Sequence, residues 1–524
     1  MTISFQVLSK GAGFRTGLRG VAQLLPDNWD DFSFKTLFVL HYVDMAGRHV
    51  ELGAVKIGFK GQTTGRTSDS IPSQFEQLPD AWFSLGQDVD YYANAVQELS
   101  EEERIAILSG LRDVAFIEQA FQIAKEESVF ETSLLRNVNE LTVHAQFRRV
   151  LRGEAILSDY QFSYIDPGSD KRASVDLDFR VNAGSRPPTN VHVLIGRNGI
   201  GKTTILNGMV KAVHQDYGKE RTGGFASRDF LGNESELSHN YFGSVVSVSF
   251  SAFDPFVPPP DNDEPKRGPK YFYIGMKRSR LGSATDSATL KSEEDLVDDF
   301  ASSFEQCMSL ETKAKRWLKA IERLSSDVNF AAMELPTLAD AASRKDARSS
   351  QYARHILGRM SSGHKIVLLT ITALVNLVEE KTLVLFDEPE SHLHPPLLSA
   401  FTRALSELLH DRNGVAIIAT HSPVVVQEVP RSCVWILNRS GLQWRRDRPV
   451  RETFAENVGI LTKEVFGLEV TKSGFHSMLQ DAVDAGGTFE EISDSFKNRI
   501  GMEGASILAA MIGTRDSSMH RGGN

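Results

Sequence analysis

Residues 191–203 read Val191-His192-Val193-Leu194-Ile195-Gly196-Arg197-Asn198-Gly199-Ile200-Gly201-Lys202-Thr203, and this stretch decides the fold. A compact β-branched strand runs into a glycine-rich turn, and the residues from Thr203 onward carry a helix pattern. The turn matches G-x-x-x-x-G-K-[ST], the spacing of a phosphate-binding loop. Glycines let backbone N–H groups converge on phosphate oxygens, and the helix that follows offers the positive end of its dipole. Lys202 can reach the β- and γ-phosphates, and the Thr203 hydroxyl can hold Mg²⁺. A glycine turn met by chance lacks the strand before it and the helix after it. Gly196, Arg197, Asn198, Gly199, Ile200, Gly201, Lys202, Thr203 and Thr204 are the expected nucleotide-binding residues.

On either side of the loop the pattern alternates between strand and helix. Tyr160 to Tyr164 and Val175 to Phe179 alternate like half-buried strands. Val245 to Phe250, Thr382 to Phe386 and Gly414 to Ala419 are short apolar strands. Lys365 to Glu379 and Leu397 to Leu409 fit helices, as do the amphipathic stretches Glu293 to Val328 and Ala339 to Arg359. Apolar strands alternating with helices predict an α/β fold with a mainly parallel, covered sheet. Asp216 to Glu236 is polar, and Asp254 to Lys270 contains Pro258-Pro259-Pro260; both read as loops. Residues 1–150 read as an α+β recognition or scaffold unit. Thr36 to Val43 and Val50 to Ile57 flank an Ala46-Gly47 turn, and Tyr91 to Leu135 is helical in pattern; no catalytic spacing occurs there. The expected organisation is this unit, a nucleotide-binding head over 155–450 with a helical lid at about 293–365, and a helical partner-docking segment over 451–524. In the last, Ile460, Leu461, Val465, Phe466, Leu468, Phe475, Leu479 and Val483 recur at helical spacing before a polar, frayed tail.

Three further elements carry chemistry. The strand Thr382 to Phe386 ends in Asp387-Glu388-Pro389-Glu390. An acid at a strand tip beside a phosphate loop can hold Mg²⁺, directly or through water, so Asp387 joins Thr203 as a metal residue. Glu388 can then orient or deprotonate an attacking water. Away from a phosphate loop, two such acids would mark only a solvated turn. Met360-Ser361-Ser362-Gly363-His364 opens the helix from Lys365, and its N–H groups and hydroxyls form an anion site. Thr420-His421-Ser422-Pro423 follows the strand Gly414 to Ala419. A neutral His421 imidazole there can hydrogen-bond a γ-phosphate, or can be an ordinary strand-end histidine.

In this order the four elements resemble ABC-type ATPases: phosphate loop, signature, Asp-Glu strand with its following loop, and switch histidine. Ser391-His392-Leu393-His394-Pro395 is similar to the D-loop of RecF-like, SMC-like and OLD-like ATPases. The resemblance covers about residues 155–440. It implies a head-to-tail homodimer, or a higher homo-oligomer, with two ATPs at the interface. Ser362 and Gly363 of one copy would contact the γ-phosphate held by Lys202 of the other, with Ser361 also among the nucleotide-binding residues, and Glu388, with His421 and Lys202, would serve hydrolysis. Two departures stand out. The signature reads Ser-Ser-Gly-His instead of Ser-Gly-Gly-Gln. The strand Val245 to Phe250 continues without the expected Q-loop glutamine, with Asp254 as a substitute. Within the group the chain resembles the PtuA-like ATPases of bacterial anti-phage systems (Septu and retron operons). That resemblance implies a sensor or regulator of a separate nuclease or other effector. A RecF-like DNA-repair clamp, a low-turnover ATP-bound scaffold and a transporter head are the alternatives it leaves.

The whole-chain numbers bound these expectations. The 524 residues suit two to four domains, and 41% hydrophobic residues are enough for large cores. Asp+Glu (68) exceeds Lys+Arg (58), a net charge of −10, which argues against a dedicated nucleic-acid coat protein and leaves local DNA contact open. Two cysteines, Cys307 and Cys433, build no disulfide framework and fit a reducing cytosol. The N-terminus lacks a signal-peptide pattern, and the longest apolar stretch, Ile366 to Val378, is short and contains Asn376. A cytoplasmic chain without a membrane partner is the expectation. Arg445, Arg446, Arg448 and Arg451 beside Trp444 read as a solvated hairpin or a nucleic-acid contact. Phe147-Arg148-Arg149 and Arg152 read as surface or as neighbours of the nucleotide base. Tyr160 or Phe162 could stack on adenine, though core packing is the commoner fate. His392, His394 and His421 near the acids could suggest zinc, but the ATPase reading already accounts for them. The acids from Asp481 to Asp494 read as a solvated helix face, with no Toprim nuclease constellation.

Overall fold

The structure is a computed structural model. It describes the chain apart from residues 1–2, 10, 16, 154–156, 170–171, 215–222, 229–232, 239–240, 253–255, 263–268, 279–288, 344–348, 441–442, 471–473 and 522–524.

The N-terminal part is built on a sheet of β1 (Ser4–Val7), β2 (Val21–Pro26), β3 (Leu37–Val43), β4 (His49–Phe59), β5 (Gln74–Phe75) and β6 (Trp82–Gly86), in the order β5-β1-β2-β3-β4-β6. The hairpin β3–β4 is the one the alternation predicts; β1 and β5 are short, and β2 and β6 do not alternate between apolar and polar residues. Helices α1 (Val89–Glu98), α2 (Glu101–Gly110) and α3 (Glu118–Ala124) follow. Ser100 and Glu103 close a reciprocal capping box at the start of α2. Their apolar sides bury Tyr91, Tyr92, Leu108 and Phe121 in one core with Phe5, Tyr42 and Phe83.

A small antiparallel sheet comes next. It pairs β7 (Tyr160–Asp166) with β8 (Val175–Val181) and with β10 (Gly224–Arg228), which in turn pairs with β11 (Glu234–Glu236). The stretch Asp216 to Glu236, expected as loop, therefore holds two strands. Between them in sequence lie β9 (Val191–Ile195) and α4 (Lys202–Val213), which flank the glycine-rich turn.

The main sheet has seven strands. Its remaining members are β12 (Ser244–Ser249), β13 (Lys270–Gly275), β14 (Thr382–Asp387), β15 (Val415–Thr420), β16 (Val434–Ser440) and β17 (Gln443–Asp447), in the order β13-β12-β14-β15-β9-β16-β17. All neighbours pair in parallel except β16 with β17. The edge strand β13 was not foreseen, because the Pro-rich stretch before it masks its start. Helices α5 (Glu293–Met308), α6 (Glu311–Leu324), α7 (Val328–Ala331), α8 (Pro336–Ser343), α9 (Ser349–Arg359), α10 (Ser362–Leu377) and α11 (Pro395–His410) pack on this sheet or on one another. Trp317 is fully buried and donates from its indole to Thr372 at 2.9 Å, fastening α6 to α10.

In the C-terminal part lie α12 (Val458–Val470), α13 (Phe475–Asp484), α14 (Phe489–Ser495) and α15 (Met502–Arg521). Leu461 and Val465 enter the main core, while Leu479, Val483, Ile492 and Leu508 form a small core of their own. Ile460 and Phe475 are exposed, and the side chain of Leu468 lies outside the described residues. Among the described residues no helix is long and apolar enough to cross a membrane.

Buried polar links join the N-terminal part to the main sheet. Arg412 forks onto both carboxylate oxygens of Asp88 at 2.8 and 2.7 Å, and Arg316 approaches the same carboxylate at 3.1 Å. Arg149 reaches Glu380 at 3.3 Å, and Lys270 donates to the Leu135 carbonyl at 3.0 Å. Lys313 donates to Asn137 and to the Asn376 carbonyl, and burial draws its ammonium down to about 8. Removing one member of a buried ion pair strands the other charge, a cost of about 3–5 kcal/mol.

Candidate nucleotide site

The phosphate loop joins the C-terminal end of β9 to α4. Gly199 (φ +74°) and Gly201 (φ +103°) adopt left-handed backbone that side chains disfavour. At Gly196 a Cβ would lie 2.5 Å from the Leu437 carbonyl of β16, so the loop leaves the sheet where only glycine passes. Ile200 is buried and pins the turn, while Arg197, Asn198 and Thr204 face solvent. Lys202 bends back into the loop, its Nζ donating to the carbonyls of Gly196 (3.0 Å) and Arg197 (3.1 Å). Burial lowers its pKa, opposed by the carboxylates of Glu388, Glu390 and Asp387. A buried cation facing three acids from the hollow of an N–H-lined loop is arranged to meet polyphosphate.

Sheet register brings the acids to this loop. Ile195 pairs with Thr420 and Asp387 with Ala419, so β9, β15 and β14 end at one level, the crevice where open α/β sheets bind ligands. The Thr203 hydroxyl donates to Asp387 at 2.9 Å. Hydroxyl and carboxylate are hard oxygen donors, and this pair fits a Mg²⁺ ion. Glu388 has φ +46° and ψ +61°, left-handed backbone costly for a side-chain-bearing residue; its N–H is held by the Ala419 carbonyl at 2.9 Å. Strain of this sort persists where surrounding structure enforces it, and here it turns the Glu388 carboxylate out of the strand line and partly into solvent.

His421 stands beside this acid, its Nδ1 3.9 Å from Glu388 Oε1. Glu390 is the residue that the motif reading missed. Its Oε1 accepts from the His421 N–H and the Thr420 hydroxyl, both at 2.6 Å, and lies 3.0 Å from His421 Nδ1. It thereby holds His421 beside the acid pair. Its one signal in the sequence is a third acid placed just after Pro389.

The signature residues lie elsewhere on the chain surface. Ser361 stands just before α10 and makes no side-chain cap bond to it, and Ser361 and Ser362 are exposed. Gly363 sits beneath the loop that follows the acids: a Cβ there would come within 2.5 Å of the His392 carbonyl. Gly363→Ala is therefore expected to force the signature turn and this loop apart. ATP turnover should fall about tenfold or more while nucleotide binding to single subunits persists, as steady-state kinetics and nucleotide titration would reveal.

The remaining candidates are placed as follows. Tyr160 and Phe162 are core residues; Phe162 stacks on Phe179, and the Tyr160 hydroxyl donates to Asn413. Phe147 is buried, and Arg149 pairs with Glu380 before the start of β14, at the opposite end of that strand from Asp387, so it does not neighbour the loop. Arg446 pairs with Asp176, Arg448 with Asp178 and Arg445 with Asp447, so the basic run forms an ion-paired hairpin. Within that hairpin Trp444 lies against the phosphate loop, its ring 3.3 Å from where a Cβ on Gly201 would stand. His392, His394 and His421 have different neighbours: the Phe250 carbonyl, Asp327 and Glu390. Asp254 lies outside the described residues.

A family model described as "AAA domain, putative AbiEii toxin, Type IV TA system" matches residues 247–427, from β12 through the acids and His421. Among solved structures, the chain is similar to an ATP-binding cassette of an ABC transporter in its ADP conformation (16% identity, 60% of this chain and 98% of that one, TM-score 0.29). It is also similar to a nucleotide-free cassette (12% identity, 50% and 81%, TM-score 0.25). Protein ea59 of Escherichia phage lambda is 45% identical over 529 residues, spanning 98% of this chain and 99% of that protein. Related along nearly its whole length to that phage protein, and carrying an ATPase-like P-loop domain, the chain belongs to the ea59 family.

Proposed function

We propose that the protein is an ATP-hydrolysing switch: two copies close head to tail around two ATP molecules, hydrolysis loosens them, and the change acts on a separate effector, a nuclease by class, in anti-phage defence. One observation carries the reading. Lys202, Thr203, Asp387, Glu388 and His421 share one crevice, while Ser361 and Ser362 stand exposed at the start of a different helix, where the side-chain contact described for Ser361 is with His364. A single chain then offers half of each composite site, which makes ATP loading and dimerisation one equilibrium. Thr203 and Asp387 would hold Mg²⁺, whose charge offsets that of the phosphates. Lys202 turns from its own loop carbonyls to the phosphate oxygens. Glu388 orients a water, and His421, steadied by Glu390, senses the γ-phosphate position.

The family model's toxin-system description supports the conflict role. The test is molar mass by light scattering with and without Mg·ATP, alongside phosphate release at several protein concentrations. Mass should double with ATP, and turnover per subunit should rise with concentration. A monomer at saturating ATP would defeat the dimer. Bound ATP without turnover would favour a scaffold, and DNA binding gained only with ATP would favour a clamp.

A further inference from the structure

The signature departs from the common pattern at its last position, where His364 stands, and the structure shows what this histidine does. Its Nδ1 lies 2.6 Å from the Ser361 hydroxyl, and its Nε2 lies 3.3 Å from Asp327 Oδ1. The other oxygen of that carboxylate lies 3.2 Å from Nε2 of His394, in the loop after the hydrolytic acids. Asp327 is 7% exposed, His364 12% and His394 50%. The same carboxylate caps α7 by accepting from the Phe330 N–H at 2.9 Å. Burial opposes its ionisation, but the Phe330 N–H and the two imidazoles outweigh it and hold its pKa below the usual carboxylate value. Facing an ionised acceptor, Nε2 of His364 is the protonated nitrogen. Nδ1 is then left for Ser361, accepting from its hydroxyl in the neutral ring and donating to its oxygen in the charged ring. A carboxylate that fixes an imidazole fixes what the imidazole holds.

We propose that Asp327 is a positioning residue: through His364 it presents Ser361 to the ATP held by a second copy, and through His394 it ties that serine to the loop following Glu388. The proposal rests on the head-to-tail reading above. It gives the His364 departure a purpose, since an imidazole bridges a serine and a carboxylate with two opposed nitrogens in a rigid ring. It also accounts for Asp327 beyond its cap, because a cap alone has no use for two histidines.

The test uses the full chain with Mg²⁺ and a non-hydrolysable ATP analogue, reading dimerisation by sedimentation and single-subunit binding with a fluorescent ATP analogue. The α7 cap and the His364 contact share Oδ1 of Asp327, so Asp327→Ser is used: its hydroxyl keeps an N-cap acceptor for Phe330 but is too short to meet the two imidazoles. It should raise the subunit concentration for half-dimerisation about tenfold. Single-subunit binding and the melting temperature should stay at wild-type values. His364→Ala should give the same defect, and the double variant should be no weaker than the worse single one, as expected of residues acting in series. Wild-type dimerisation by Asp327→Ser, or additive losses in the double variant, would overturn the proposal while leaving the switch intact. A wild-type chain that stays monomeric with the analogue would overturn the switch reading and this proposal with it.

Discussion

Glu388→Gln is expected to lower steady-state ATP turnover by about 10²–10³-fold while ATP stays bound and the dimer stays closed. The substitution keeps the shape of the side chain and removes its basicity. The backbone at Glu388 is already left-handed and held by Ala419, so the amide occupies the position of the acid. The Glu390 contacts to Thr420 and His421 do not involve Glu388, which leaves the switch histidine in place. Phosphate release would report the loss, and light scattering with Mg·ATP would report a longer-lived dimer. Unchanged turnover would remove Glu388 from the reaction.

Lys202→Ala is expected to weaken ATP binding on the order of 100-fold, the effect of losing charge-assisted hydrogen bonds from a buried cation. Lys202 is a buried cation whose partners in this structure are two carbonyls of its own loop. The backbone of Gly199 and Gly201 sets the course of the loop, so it should persist, with a modest fall in melting temperature from the two carbonyls that lose their donor. Nucleotide titration checks the affinity. Wild-type binding by the variant would mean that triphosphate does not enter the loop.

How far the amino-acid pattern reaches depends on whether a residue's neighbours are near in sequence. The phosphate loop and the Asp-Glu strand were legible because each is a local device: a glycine where backbone must approach, an acid at a strand tip. The parallel sheet was legible through its apolar central strands, β9, β12, β14 and β15. The edge strand β13 was not, because it follows a Pro-rich polar stretch, and β10 and β11 were hidden within polar sequence. In the N-terminal part only the β3–β4 hairpin declared itself, since β5 has just two residues and the others lack clean alternation. Glu390, Trp444 and Asp327 acquire their roles from tertiary contacts. Asp327 lies 37 residues before His364, and no spacing rule connects a helix cap in the lid to the signature turn.

The buried ties between the N-terminal part and the main sheet have a mechanical consequence. Arg412 and Asn413 stand just before β15, and Glu380 just before β14. Asp387 and Thr420 stand at the opposite tips of those same two rods. Strands buried among neighbours on both sides transmit displacement more readily than they absorb it. A displacement of the N-terminal part at these ties therefore acts on one end of two levers whose other ends carry Asp387 and, at Thr420, the mount of His421.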